Sequence, residues 1–215
     1  MIKILFLDFD GTISDAYSIS FKSLVRTLDD YGYEFDKSKL LNLMGDKMQT
    51  ILEGLDLDTE NLGAVRRRFY KYFTKEALDG GIRPCVSLKP LWKLKKDCLL
   101  IVVSNSETHF LKASIKKLGI KGLFDKVYGA EKFRKKDEML KKLFKKFKIK
   151  SSEAIYIGDR FSDIRSARSA GCISVAIQNK CSWSDLKTIK KEKPDYIIRD
   201  FRELKKLVGK LNRIK

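Results

Sequence analysis

The sequence predicts an α/β fold, a doubly wound parallel sheet core interrupted by one long helical insertion. Short apolar runs recur along the chain, and helix-periodic stretches separate the later ones. Residues 16–81 carry helical patterning only, and acidic or hydroxyl-bearing clusters follow several of the apolar runs directly.

The run Ile2–Leu7 is almost continuously apolar and ends at Asp8, which suits a strand buried on both faces. Similar runs stand at Leu99–Val103, Ala154–Ile157, Ile173–Ile177 and Tyr196–Ile198. Between them, Met139, Leu140, Leu143, Phe144 and Phe147 are spaced for one helix face, and so are Leu204, Leu207, Val208 and Leu211. Strands alternating with helices imply a parallel sheet covered on both sides. The insertion reads as successive helices around Ile19, Leu24 and Leu28, Leu40–Leu43, Ile51–Leu55 and Val65–Leu78. It is far longer than an ordinary strand-to-helix connection. Gly80-Gly81 and Arg83-Pro84 mark the return to the core. The expected organisation is a core of residues 1–15 and 82–215 with a helical domain at 16–81.

A chain of 215 residues with 43% hydrophobic and 34% charged residues suits one sizeable core with a small accessory domain. No apolar run is long enough to span a bilayer, so no membrane partner is expected. The apolar N-terminus is too short for a signal peptide and lacks a small-residue cleavage site, so the expected location is cytoplasmic. Cys85, Cys98, Cys172 and Cys181 lack paired spacing or accompanying histidines, which leaves them as buried thiols. The net charge of +18 would attract polyanions and steer anionic substrates. The lysines are scattered, as in Lys141-Lys142, Lys145-Lys146 and Lys190-Lys191, so background composition and a nucleic-acid footprint both stay open. Oligomeric state is not legible.

Three clusters carry the chemistry, each after a predicted strand, where open α/β sheets place their sites. In Asp8-Phe9-Asp10-Gly11-Thr12 two carboxylates one residue apart follow a buried strand. Without a cation they would repel at a cost, and a hard divalent ion with oxygen ligands, magnesium above all, offsets that repulsion. Gly11 allows a sharp turn. Gly158-Asp159-Arg160-Phe161-Ser162-Asp163 sets two carboxylates four positions apart, on one side if a helix starts there. Ser104-Asn105-Ser106 puts a hydroxyl at a strand end, where it can meet a phosphate oxygen. Any one cluster could simply cap the next helix. Three on one sheet point to a site.

These residues resemble the haloacid dehalogenase-like hydrolase superfamily over essentially the whole chain, specifically its helical-cap phosphatases such as phosphoglycolate phosphatase. Asp8 to Thr12 matches the DxDGT motif, and Ser104 ends the second, hydrophobic-run motif. Lys136, with Lys135 as the alternative, fits the third, and Gly158-Asp159 to Asp163 the fourth. The resemblance implies a Rossmann-like core and a helical cap at 16–81. It implies a magnesium-dependent phosphatase in which Asp8 is the nucleophile and forms an aspartyl-phosphate. Asp10 would be the acid and base, and Ser104 with the lysine would hold the phosphoryl group. Asp8, Asp10 (through its carbonyl), Asp159 and Asp163 would serve the metal. Gly11, Thr12, Asn105, Gly45 and Lys47 would contact substrate, the last two on a cap loop, Leu43 to Lys47, that dips toward the centre. The acid at position 10 points away from relatives that cleave carbon–halogen bonds or pump ions. The expected substrate is a small phosphorylated metabolite.

Two rivals remain: a phosphomutase of the same superfamily, and a nucleic-acid-binding protein acting on polynucleotide ends. Mutases resembling β-phosphoglucomutase carry an arginine three positions after the loop glycine, where this chain has Met48. His109, the single histidine, reads as a surface or capping residue.

Overall fold

The structure, a computed structural model, describes residues 1–213. The core opens with β1 (Ile4–Leu7), followed by a short β2 (Ser14–Asp15). Four helices come next: α1 (Tyr17–Asp30), α2 (Lys37–Leu43), α3 (Met48–Gly54) and α4 (Leu62–Glu76). The chain returns through β3 (Arg83–Pro84) to α5 (Lys89–Leu94), β4 (Leu99–Val103), α6 (Thr108–Lys117) and β5 (Lys126–Tyr128). It continues with α7 (Lys136–Lys146), β6 (Ala154–Gly158), α8 (Phe161–Ala170) and β7 (Ile173–Ile177). The last elements are α9 (Leu186–Lys191), β8 (Tyr196–Ile198) and α10 (Phe201–Arg213).

Six strands form one parallel sheet in the order β5-β4-β1-β6-β7-β8. The period-two rule divides their side chains between its faces. Leu5, Leu7, Leu100, Val102, Ile155 and Ile157 join one buried cluster with residues of α5, α6 and α10. Ile4, Phe6, Ile101, Val103 and Tyr156 join another with α7 and α8. Apolar side chains on both faces explain why the central runs read as unbroken hydrophobic stretches.

The first strand lies between β4 and β6 in register, Leu7 beside Val102 and Ile157. Asp8 N–H donates to the Ile157 carbonyl at 2.8 Å, carrying the ladder one residue beyond β1. Ser104 N–H likewise donates to the Tyr128 carbonyl at 3.1 Å. The carboxyl ends of three adjacent central strands therefore deliver Asp8, Ser104 and Asp159 to one place.

Besides the two-residue strands β2 and β3, one strand of the six-stranded sheet has no counterpart among the apolar runs. β5 has three residues, an exposed Lys126 and only half-buried Val127 and Tyr128 at the sheet edge, so it shows no apolar run. The inserted segment is helical as expected, with α1 packed lengthwise on α4. It leaves and rejoins the core through a two-stranded antiparallel ribbon, Ser14 opposite Pro84 and Asp15 opposite Arg83. All four cysteines are free and buried. Among the described residues no helix is long and apolar enough to cross a membrane.

Candidate active site

Asp8, Asp159 and Asp163 offer one carboxylate oxygen each within 4.8 Å of one another, all three side chains buried. The cation that answers them is Lys136. Its Nζ lies 3.2 Å from Asp8 Oδ1 and 2.6 Å from Asp163 Oδ1, with the side chain 8% exposed. Burial works against its charge, but the two carboxylates outweigh burial and push Lys136 up to about 12. Burial raises Asp8 to about 6 against the pull of Lys136 and a hydrogen bond from Ser104. Asp159 is held well above the usual carboxylate range by burial, then by the charges of Asp163 and Asp8.

Each acid is also held in place. Asp159 accepts from the Thr12 hydroxyl at 2.9 Å and from the Trp183 N–H at 2.7 Å. Asp163, in the first turn of α8, accepts from the Arg160 N–H at 3.1 Å and from the Tyr156 hydroxyl at 3.3 Å. Gly11 lies beneath with φ +81°, and a Cβ there would stand 2.3 Å from Asp159 Oδ2. Asp10 turns away from this cluster. It accepts from Ser14 Oγ at 3.0 Å and from Ser106 Oγ at 2.5 Å. Burial raises it to about 7, opposed first by the Ser106 hydrogen bond.

Three consecutive residues of the insertion, between α2 and α3, each grip a different core loop. The Gly45 carbonyl accepts from Asn105 Nδ2 at 3.0 Å, after β4. Asp46 Oδ1 pairs with Arg160 Nη1 at 2.8 Å, after β6. Lys47 Nζ donates to the Ala130 carbonyl at 3.0 Å and also to that of Phe133, after β5, and sits 4.4 Å above the Phe133 ring. Gly45 has φ +84°, and a Cβ would come within 2.8 Å of the Trp183 ring. The insertion thus closes over a cavity of about 600 Å³ whose lining includes Asp8, Asp10, Ser104, Lys47 and Lys136. Its volume suits a small ligand.

A sequence profile of the haloacid dehalogenase-like hydrolases matches residues 4–177. The chain belongs to this family. A protein of Caldanaerobacter subterraneus, provisionally named the pyrophosphatase PpaX, is 29% identical over 96% of this chain and 94% of its own. A phosphoglycolate phosphatase of Pasteurella multocida is 24% identical over 94% of this chain and 96% of its own. The crystal structure of a predicted phosphoglycolate phosphatase from Haemophilus somnus 129PT superposes with a TM-score of 0.81. It shares 23% identity over 96% of this chain and 98% of that one, which shows the common fold.

In this haloacid dehalogenase-like hydrolase the residues expected at the site take different places. Thr12 is fully buried and faces Asp159 rather than the cavity. Gly11 commits its N–H to the Ser14 carbonyl at 2.8 Å, so neither residue lines the cavity as a substrate contact. The Asp10 carboxylate lies outside the acidic cluster, in keeping with a role for its carbonyl rather than its side chain toward a metal. Asn105 and Gly45 bind each other, and Lys47 spends its ammonium on backbone carbonyls. Lys136 rather than Lys135 reaches the acids, since Lys135 is exposed. His109 is largely exposed, with Nδ1 3.1 Å from Glu107 Oε2. Trp183, Arg160, Ser106 and Tyr156 were not foreseen as site residues. Trp183, Arg160 and Ser106 act through partners 24, 114 and 96 positions away, which no local motif displays, and Tyr156 is hidden within an apolar strand.

Proposed function

We propose that this hydrolase cleaves small phosphate monoesters with magnesium, through an aspartyl-phosphate formed on Asp8. The observation that carries the reading is Asp8 itself. Its carboxylate stands at the end of the central strand, on the wall of an enclosed cavity, with a protonated Lys136 at 3.2 Å and Asp10 two residues on. A carboxylate attacks phosphorus only as the anion, and the ammonium stabilises that form. Asp10, raised to about 7, retains a proton near neutrality and suits the role of acid toward the leaving oxygen. It then suits the role of base toward the attacking water. Ser104 and Lys136 stand where charge builds on the transferring phosphoryl group.

The donor set fits a hard divalent cation, since its ligands are carboxylate oxygens with no sulfur or imidazole among them. Magnesium held by Asp8 and Asp159, with Asp163 close by, would neutralise phosphate charge. Asp163 orients Lys136, and Thr12 with Trp183 orients Asp159.

Residues 16–81 serve as the cap, whose closure excludes water and brings α2–α3 loop residues to the leaving group. The enclosed volume favours a small metabolite over a polynucleotide end. Met48 lines the cavity where a mutase of this superfamily would present an arginine, which favours release of phosphate over its return. The names of the pyrophosphatase and phosphoglycolate phosphatase relatives support a small, anionic phosphorylated substrate.

The test is phosphate release from a panel of phosphorylated metabolites with magnesium, by wild type and Asp8→Asn. Asp8→Asn should keep its fold and lose turnover. Retention of about a tenth of the wild-type kcat would refute covalent catalysis through Asp8.

A further inference from the structure

Six cations line the cavity: Lys47, Arg66, Arg134, Lys135, Lys136 and Arg160. Four are engaged by the protein. Lys136 holds Asp8 and Asp163, and Arg160 holds Asp46. Arg66 Nε pairs with Glu107 Oε1 at 2.8 Å, and Lys47 binds two carbonyls. Among the described residues the side chains of Arg134 and Lys135 make no hydrogen bond, ion pair or ring contact. Their backbone is nevertheless pinned on both sides. Lys47 clamps Phe133 just before them, and Lys136 is anchored on Asp8 just after. Successive Cα atoms lie about 3.8 Å apart, so the pair starts within one or two residues of the phosphoryl-binding lysine.

Building on the catalytic reading above, we propose that Arg134 and Lys135 form a subsite for a second oxyanion of the substrate. The substrate class is a phosphoester or phosphoanhydride that also bears a carboxylate or a further phosphoryl group. An unpaired guanidinium offers a planar fork matched to either oxyanion, and the neighbouring ammonium adds a point charge. This assignment moves anion recognition from Lys47, two of whose three donors are held by backbone carbonyls, to the loop before α7.

The experiment compares wild type with the Arg134→Gln/Lys135→Gln double variant, with magnesium, on three substrates. p-Nitrophenyl phosphate carries no second oxyanion, phosphoglycolate carries a carboxylate, and inorganic pyrophosphate carries a second phosphoryl group. The ratio of kcat/KM on each anionic substrate to that on p-nitrophenyl phosphate should fall about 10- to 100-fold, the size of one or two charge-assisted hydrogen bonds. The arm that falls identifies the oxyanion. Ratios unchanged within about twofold on both arms would overturn the subsite. A second readout needs no turnover: binding of phosphoglycolate and of pyrophosphate to Asp8→Asn protein, measured by calorimetry, should weaken by a similar factor for at least one of the two when the two glutamines are added. Loss of binding there without any wild-type activity would leave the subsite standing and sink the catalytic reading. Equal binding of both ligands with and without the two glutamines would sink the subsite alone.

Discussion

Replacing Lys136 by methionine isolates its charge, because methionine fills a similar volume and remains unbranched. The lysine is buried and neutralises two acids at 3.2 and 2.6 Å. Without it, three carboxylates remain with oxygens within 4.8 Å of one another. Two unit charges at that distance repel by about 3.5 kcal/mol in an effective dielectric near 20. Breaking a buried ion pair from one side costs about 3–5 kcal/mol in other proteins, which agrees. A chain of this size loses roughly 2–4 °C of melting temperature per kcal/mol, so Lys136→Met should melt about 6–20 °C lower. Differential scanning fluorimetry in excess chelator measures this directly. Lys135→Met supplies the control, being exposed and unpaired, and should melt like wild type. Magnesium should raise the melting point of Lys136→Met more than that of wild type, because the metal replaces the missing cation. The reasoning is refuted if Lys136→Met melts within about 2 °C of wild type in chelator, or if Lys135→Met shows the larger loss.

Two further outcomes follow from the acidic cluster. Chelator should silence phosphate release and magnesium restore it, with calcium a poor substitute because its coordination is larger and looser; full activity in excess chelator would contradict the metal role. Gly11→Ala should cost at least about 1–2 kcal/mol for a side chain at φ +81°, and more because its Cβ would meet Asp159 Oδ2. A melting curve and magnesium titration indistinguishable from wild type would contradict it.

The parts of the site legible in the sequence are those where local rules coincide with tertiary position. Apolar runs ending at Leu7, Val103 and Ile157 announce buried parallel strands, and polar residues directly after them must lie at the carboxyl edge. The choice of Lys136 over Lys135 was also written in the chain. Lys136 is in helical phase with buried Met139, Leu140 and Leu143, and so points inward with them. Lys135 is out of phase. The Arg160–Asp46 pair had no such signal, since its partners lie 114 positions apart and neither belongs to a periodic face. Trp183 was hidden for the same reason, sitting in a connection that meets Asp159 through the Trp183 backbone N–H. Thr12 misled because it shares a motif with Asp8 and Asp10, which line the cavity, while its own hydroxyl is spent on Asp159. β5 was lost because an edge strand of three residues needs no apolar run to pair with β4.

The ribbon of Ser14–Asp15 with Arg83–Pro84 has an evolutionary consequence. Paired antiparallel strands hold the departing and returning chain about 5 Å apart. A short turn could join them with little strain, and so could a bundle of any length, because the entropy of closing a loop grows only slowly with its size. The sheet beneath would keep its connectivity in either case. The roof of the cavity can therefore be lengthened, shortened or exchanged between lineages while the carboxylates below stay fixed. Selection can then revise which molecules are admitted separately from the chemistry performed on them.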